Sequence, residues 1–280
     1  MYTFQQSSFK MSRNLAVFDF DHTIINDNSD TAVMNLVDHS KIPKEVKKLH
    51  RSDGWTAFMQ GVFNTLHEHN IKEECIKELI TKLPPVEGMP ELIKEINELL
   101  NFDVIIISDS NSYFIDLWLE ANDLTQNILK VFTNPARFVN SLLQIQMYHL
   151  QDSCKLSTKN LCKGQIMEDF IRTQKEEGVT YETIIYCGDG LNDFCPILRL
   201  REKDVACVRD KYKCVEMVKT AKEGKHVDEE GVVRTVKSQV CIWNNGFEIG
   251  KFKAVLSEGG EMLNFMKNDI MNGLIKNLRN

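Results

Sequence analysis

Long apolar runs are missing from this 280-residue chain. No stretch approaches the roughly 18–20 residues that cross a bilayer, so no membrane-spanning helix is expected. A surplus of positive charge is missing as well: the net charge is −6. Lys and Glu alternate along the helical stretches as on ordinary solvated faces, which argues against a nucleic-acid partner. The eight cysteines form no CxxC pair and no Cys/His zinc spacing. Scattered thiols fit a reducing cytosol better than a secreted disulfide scaffold, and a cytoplasmic location is expected. Residues 1–13 are polar, lack the apolar centre of a signal peptide and read as a flexible leader. His67 and His69 are two residues apart in a helical stretch, hence on different faces, so no metal site is expected there. Internal repeats and low-complexity tracts are also absent.

The chain does contain alternation. Strand-like runs at 15–20, 103–108, 130–133, 183–188, 205–208 and 240–243 are separated by helix candidates at 89–101, 113–122, 163–177, 196–201 and 213–222. This order predicts a doubly wound parallel α/β sheet with helices on both faces. Residues 28–83 hold no convincing strand but show helical periodicity, with Trp55, Phe58, Met59, Val62, Phe63 and Leu66 as one apolar stripe. Pro84-Pro85-Val-Glu-Gly88 is a strong boundary, because the prolines remove two donors and glycine permits a turn. The expected organisation is a core from 14–27 and 88–256, with an all-helical cap at 28–87 inserted after the first strand. A helical extension follows at 257–280. The alternation in Leu143-Gln-Ile-Gln-Met-Tyr148 predicts a short hairpin or flap.

Asp19 and Asp21 carry the most information. The apolar run Leu15–Phe18 reads as a buried strand delivering two carboxylates at its C-terminal end, where open α/β sheets hold ligands. A single Asp there is well explained as a turn former or helix cap. Three further signals follow in order: Ile105-Ile-Ile-Ser-Asp-Ser-Asn111, Lys163 at a helix start, and Ile184-Ile-Tyr-Cys-Gly-Asp-Gly-Leu-Asn-Asp193. Separately, Ser108 is a cap, Lys163 a surface lysine and Asp189 a turn residue. Their joint order is specific.

On these residues the chain resembles the haloacid-dehalogenase superfamily of aspartate-nucleophile phosphatases. Within it, Phe18-Asp-Phe-Asp-His-Thr-Ile-Ile-Asn-Asp-Asn-Ser-Asp30, Val131-Phe-Thr-Asn-Pro135, Asn160-Leu-Cys-Lys163 and Gly188-Asp-Gly-Leu-Asn-Asp-Phe-Cys-Pro196 resemble the phosphoethanolamine/phosphocholine and pyridoxal phosphate phosphatases. The resemblance spans Leu15 to about Gly246. It implies a cap over a phosphatase core, with Asp30 and Asp109 recognising substrate. Trp55-Thr-Ala-Phe-Met59 and Ser108-Asp-Ser-Asn111 look nearer the pyridoxal phosphate branch, and Trp55 or Phe58 is a candidate to stack on an aromatic substrate. The family's cysteine-rich tract is interrupted here, since Ser157 breaks the CxxC beginning at Cys154. The roles of Cys154 and Cys162 stay open, and both are candidates for exposure.

Chemistry supports the same roles. Phosphomonoester hydrolysis is among the slowest uncatalysed reactions, and its transition state spreads charge over equatorial oxygens. Asp19 is the expected nucleophile, and Asp21 the acid/base that protonates the leaving oxygen and then activates water. Asp19, the backbone carbonyl of Asp21 and Asp189 form an all-oxygen set suited to Mg²⁺, with Asp193 as a further ligand or the orienter of a metal-bound water. Ser108 and Lys163 would hold and neutralise phosphoryl oxygens. P-type ATPases put Lys two residues beyond the nucleophile and dehalogenases lack the second Asp, so Asp21 favours a phosphatase, or a phosphomutase, over both. The expected function is Mg²⁺-dependent hydrolysis of a small phosphomonoester, pyridoxal 5′-phosphate first and phosphoethanolamine or phosphocholine second. The competing class is a binding protein that kept the fold and lost catalysis.

Overall fold

A computed structural model describes residues 11–51 and 54–256. The chain opens with strand β1 (Met11–Phe18), then helices α1 (Ser29–Met34), α2 (Lys44–Lys47), α3 (Trp55–Glu68), α4 (Glu73–Thr81) and α5 (Met89–Glu98). Strand β2 (Phe102–Asn111), α6 (Ser112–Ala121), β3 (Lys130–Asn134) and a hairpin of β4 (Ala136–Val139) and β5 (Leu142–Ile145) follow. Next come α7 (Lys163–Glu176), β6 (Val179–Gly188), α8 (Phe194–Leu198), β7 (Val205–Arg209) and α9 (Lys213–Lys222). A small ribbon of β8 (His226–Val227) and β9 (Val233–Arg234), then β10 (Gln239–Trp243) and α10 (Gly246–Leu256), completes the described chain.

Six strands form one parallel sheet in the order β10-β7-β6-β1-β2-β3. This is the doubly wound topology expected from the alternation, and its order reverses beside β1. Side chains of a strand alternate between faces, and β1 feeds two cores accordingly. Ala16 and Phe18 join one that continues through Met59, Val62 and Phe63 of α3 to Trp118 of α6. Leu15 and Val17 join the other, with Phe170, Tyr186 and Phe194. The helices of 28–87 therefore share their apolar core with one face of the sheet.

Three boundaries differ from expectation. Residues 11–13, assigned to the leader, are strand: they pair with Val179, Thr180 and Tyr181. Polar side chains concealed this, because Ser12 bonds Glu182 (2.6 Å) and Arg13 lies 3.0 Å from Asp103. The rest of the expected leader, residues 1–10, lies outside the described residues, as does the extension at 257–280. The same strand stops at Phe18, since the Phe20 carbonyl turns to accept the amides of Thr23, Ile24 and Ile25. The hairpin lies earlier than 143–148, turning at Asn140-Ser141, where both residues adopt positive φ (49° and 65°). A two-residue hairpin turn of this kind needs left-handed residues, and Asn-Ser is a weaker signal for it than Asn-Gly. The hairpin docks on α3: Gln60 bonds the Leu143 carbonyl and the Ile145 amide, and His67 bonds the Ser141 carbonyl.

Candidate active site

Register places the site. Phe18 pairs with Ile106 on one side and Cys187 on the other. The residues immediately beyond, Asp19, Ser108 and Asp189, therefore emerge together at the C-terminal edge of the sheet, beside the point where strand order reverses. The Asp19 amide bonds the Cys187 carbonyl at 2.9 Å, fixing the backbone at the strand exit.

Lys163 organises the charges. Its side chain is fully buried, with Nζ 2.6 Å from Asp19 Oδ2 and 2.8 Å from Asp193 Oδ1. Burial works against its charge, yet Asp19 and Asp193 outweigh that and hold the ammonium above the usual lysine range. Asp193 in turn accepts the Tyr186 hydroxyl (2.6 Å) on Oδ1 and the amides of Asp189 (3.0 Å) and Gly190 (2.8 Å) on Oδ2. A carboxylate offers about four lone-pair sites, and these four donors share them. Asp193 thus holds the lysine and the Gly188–Gly190 turn, and its carboxyl stays a candidate further ligand or orienter of a metal-bound water beside Asp19 and Asp189. Gly188 is required at that turn, because a Cβ would collide with the Asp193 side chain.

The other acids are distributed around this pair. Asp21 accepts the Ser29 amide at 2.9 Å and the Asn28 side-chain amide at 3.3 Å, so the first turn of α1 aims it. Burial, with Asp30 next, pushes its carboxyl well above the ordinary carboxylate range. Asp19 is raised to about 7 by burial, opposed by Lys163 and reinforced by Asp193 and Asp109. Asp189 rises to about 8 through burial and then the charges of Asp193 and Asp19, with Thr23 Oγ1 3.4 Å from its Oδ1. Ser108 is fully buried and accepts the Ser110 amide at 3.3 Å; Ser110 bonds Ser29 across the site at 2.8 Å.

Asp30, on α1, and Asp109, on β2, lie within electrostatic reach of this cluster. Asp30 is buried, with one oxygen accepting the Trp55 indole N–H at 2.7 Å and the other without a partner. Burial raises it to about 7 despite the Trp55 bond, with Asp109 adding to the shift. The Asp109 side chain is held by Asn192 at 3.0 Å. Phe58 is buried core against Trp55 and His50 and offers no face to a ligand, whereas Trp55 is only half-buried. Sequence reasoning missed Tyr186 and Asn192. A tyrosine inside an otherwise apolar buried strand was the available signal, since its hydroxyl must find a partner.

Carboxyl oxygens of Asp19, Asp189 and Asp193 lie within 4.8 Å of one another. Asp19 accepts Lys163 on Oδ2 and the Phe20 amide on Oδ1 (2.7 Å), and Asp189 lies beside it in an acid-rich cluster that holds one lysine. Hard oxygen donors of this kind fit a divalent ion such as Mg²⁺.

Comparison with known proteins settles the family. Residues 14–255 match the family described as "Putative Phosphatase". A human protein named pyridoxal phosphate phosphatase PHOSPHO2 is 40% identical over 237 residues, 84% of this chain and 95% of its own. The chain belongs to this family of haloacid-dehalogenase-type phosphatases. A human phosphoethanolamine/phosphocholine phosphatase is 29% identical over 215 residues, covering 76% of this chain and 80% of its own. Among solved structures, a phospho-aspartyl intermediate analogue of phosphoserine phosphatase superposes with a TM-score of 0.57 at 19% identity, over 86% of this phosphatase and 99% of that chain. That last likeness is one of fold. The protein is accordingly a phosphoric monoester hydrolase.

Proposed function

We propose that this phosphatase hydrolyses pyridoxal 5′-phosphate through a phosphoryl group carried transiently on Asp19. The observation that carries the reading is Lys163, buried without solvent contact and clamped between Asp19 and Asp193. Such a lysine orients one carboxylate and sets a fixed positive charge where phosphoryl oxygens arrive.

In the first step an Asp19 oxygen attacks phosphorus while the ester P–O bond breaks, and Asp21 gives its proton to the departing alcohol. The raised Asp21 carboxyl suits that duty, since burial and then the Asp30 charge favour its protonated form. In the second step Asp21 takes a proton from water, which attacks phosphorus and releases phosphate and the Asp19 carboxylate. Ser108 and neighbouring amides hold phosphoryl oxygens, and Lys163 neutralises their charge. Mg²⁺ held by Asp19, the Asp21 carbonyl and Asp189 would offset the repulsion between this acid cluster and a dianionic substrate.

Substrate choice is supported by the 40% identity to a pyridoxal phosphate phosphatase and by the unpartnered Asp30 oxygen beside Trp55. In this reading that oxygen bonds the pyridine nitrogen, Trp55 borders the ring, and Asn192 holds Asp109 toward the same pocket. Residues 28–87 act as the cap that excludes water during the first step. A cytoplasmic location is supported by eight cysteines that are all unpaired. Among the described residues no helix is long and apolar enough to cross a membrane. The test is kcat/KM for pyridoxal phosphate, phosphoethanolamine and phosphocholine with added Mg²⁺. Pyridoxal phosphate should be preferred at least about tenfold, the loss typical when a buried polar group is left unmatched. Equal or reversed preference contradicts the substrate assignment, and activity indifferent to chelation contradicts the metal.

A further inference from the structure

Sequence spacing offered no metal site among the cysteines, yet folding brings three of them together. Cys154 Sγ lies 3.5 Å from Cys195 Sγ, which lies 3.8 Å from Cys162 Sγ, and all three sulfurs fall within 4.8 Å. Cys162 and Cys195 are buried and Cys154 half-buried, against the exposure expected for the first. Ser157 Oγ supplies a fourth corner, 3.3 Å from Cys162 Sγ and 3.5 Å from Cys154 Sγ. Tetrahedral zinc with bonds of about 2.3 Å to sulfur and about 2.0 Å to oxygen has edges of about 3.8 Å and about 3.5 Å respectively. The two S–S separations of 3.5 and 3.8 Å and the two S–O separations of 3.3 and 3.5 Å match those edges or fall short of them by 0.2–0.3 Å.

The surroundings are built for such a centre. Arg199 Nη2 lies 3.9 Å from Cys162 Sγ and pairs with Glu168, placing a guanidinium against the one net negative charge that three thiolates leave around a dication. Gly164 lets the start of α7 close on the group, because a Cβ there would lie 2.7 Å from Cys195 Sγ and 2.6 Å from Arg199 Nε. A cleft of about 370 Å³, lined by Cys154, Cys195, Arg199 and Arg234, opens beside it as an entry path.

We infer that Cys154, Cys162 and Cys195, with Ser157 at the fourth position, form a structural zinc site distinct from the carboxylate centre. Binding releases the thiol protons to solvent and changes no oxidation state. The ion ties the 154–157 loop to the starts of two helices. Cys162 directly precedes Lys163, and Cys195 follows Asp193 by two residues, so the site braces the backbone beneath the Lys163–Asp193 pair. Soft thiolates select zinc over Mg²⁺, and hard carboxylates do the reverse, so the two sites do not compete.

The test uses the full chain and does not depend on turnover. Protein prepared without chelator should contain about one zinc per chain. After metal removal, Co²⁺ should produce thiolate-to-cobalt absorption in the near ultraviolet and tetrahedral bands in the red, unaffected by excess Mg²⁺. Cys195→Ser should weaken both, while Asp189→Asn leaves them intact. Ser157→Cys keeps the test decisive if the first variant folds poorly: a fourth thiolate should intensify the near-ultraviolet band by about one third and tighten zinc binding at least about tenfold. The inference is overturned if the parent chain takes up no zinc and gives no thiolate–cobalt band. It is equally overturned if the band vanishes in Asp189→Asn, or if Cys154 and Cys195 prove to be a disulfide whose reduced form binds no metal.

Discussion

Lys163 and Cys162 are neighbours in sequence, yet each anchors a different polar cluster. Lys163 meets Asp19, at the exit of β1, and Asp193, at the start of α8, both of them charged groups. Cys162 meets Cys195 and, through it, Cys154, soft groups carried on a loop and two helix starts. Both clusters use α7 and the Asp193–Cys195 segment, so they share scaffolding while differing in every donor atom. The difference teaches how one stretch of backbone can serve both a reaction centre and its support. The acids are crowded beyond what one lysine neutralises, which suits chemistry on an incoming phosphate. The thiols are spaced like the corners of a tetrahedron, which suits a permanent ion.

The comparison breaks if perturbing one cluster always perturbs the other. Asp19→Asn should cut kcat by at least about 10⁴-fold while leaving the cobalt–thiolate spectrum unchanged. Loss of that spectrum would merge the two clusters into one. Lys163→Met should lower kcat/KM by about 10²–10³-fold through loss of the phosphoryl counter-charge. It should also cost about 3–5 kcal/mol of stability in denaturant unfolding, since it strands buried carboxylates. A variant as stable as the parent would show that these acids are neutralised by something else.

Asp30 gives a pH test on the acidic side. Its carboxyl stands at about 7 in the fold against 3.8 for a free side chain. Between those values the folded state binds more protons than the unfolded one, so stability falls as pH rises through the window and is flat above it. Asp30→Asn should therefore raise the melting temperature at pH 8, by about 2–4 kcal/mol of stability, and change little at pH 4. The same variant should raise KM for pyridoxal phosphate. A pH-independent gain would contradict the burial account. The smallest effect is expected from Tyr186→Phe, which removes one of four donors to Asp193 and should lower kcat about tenfold with the metal content of the thiol site unchanged.

The two clusters also differ in how readable they were. All six strands of the main sheet announce themselves as apolar runs, and parallel topology then carries Asp19, Ser108 and Asp189 to a common edge by register alone. The start of β1 was hidden because Ser12 and Arg13 are polar yet satisfied by Glu182 and Asp103. Asp193 was legible as a site residue, but its engagement by Tyr186 and two amides depends on the shape of the Gly188–Gly190 turn, which spacing does not encode. The thiols were illegible for a stronger reason. Cys154 and Cys195 are separated by a helix and a strand, and nothing periodic links an irregular loop to a helix start. Gly164, whose missing side chain permits their approach, reads in sequence as an ordinary helix glycine.

The central claim is that Asp19 carries the phosphoryl group, and trapping that species tests it most directly. Enzyme mixed with pyridoxal phosphate and Mg²⁺, quenched in acid within one turnover and digested, should yield a peptide containing Asp19 heavier by one phosphoryl group. That peptide should lose the added mass on hydroxylamine treatment and be absent from Asp19→Asn. Turnover without any such adduct under the same quench, or a phosphoryl group found on Ser108 instead, would contradict the account.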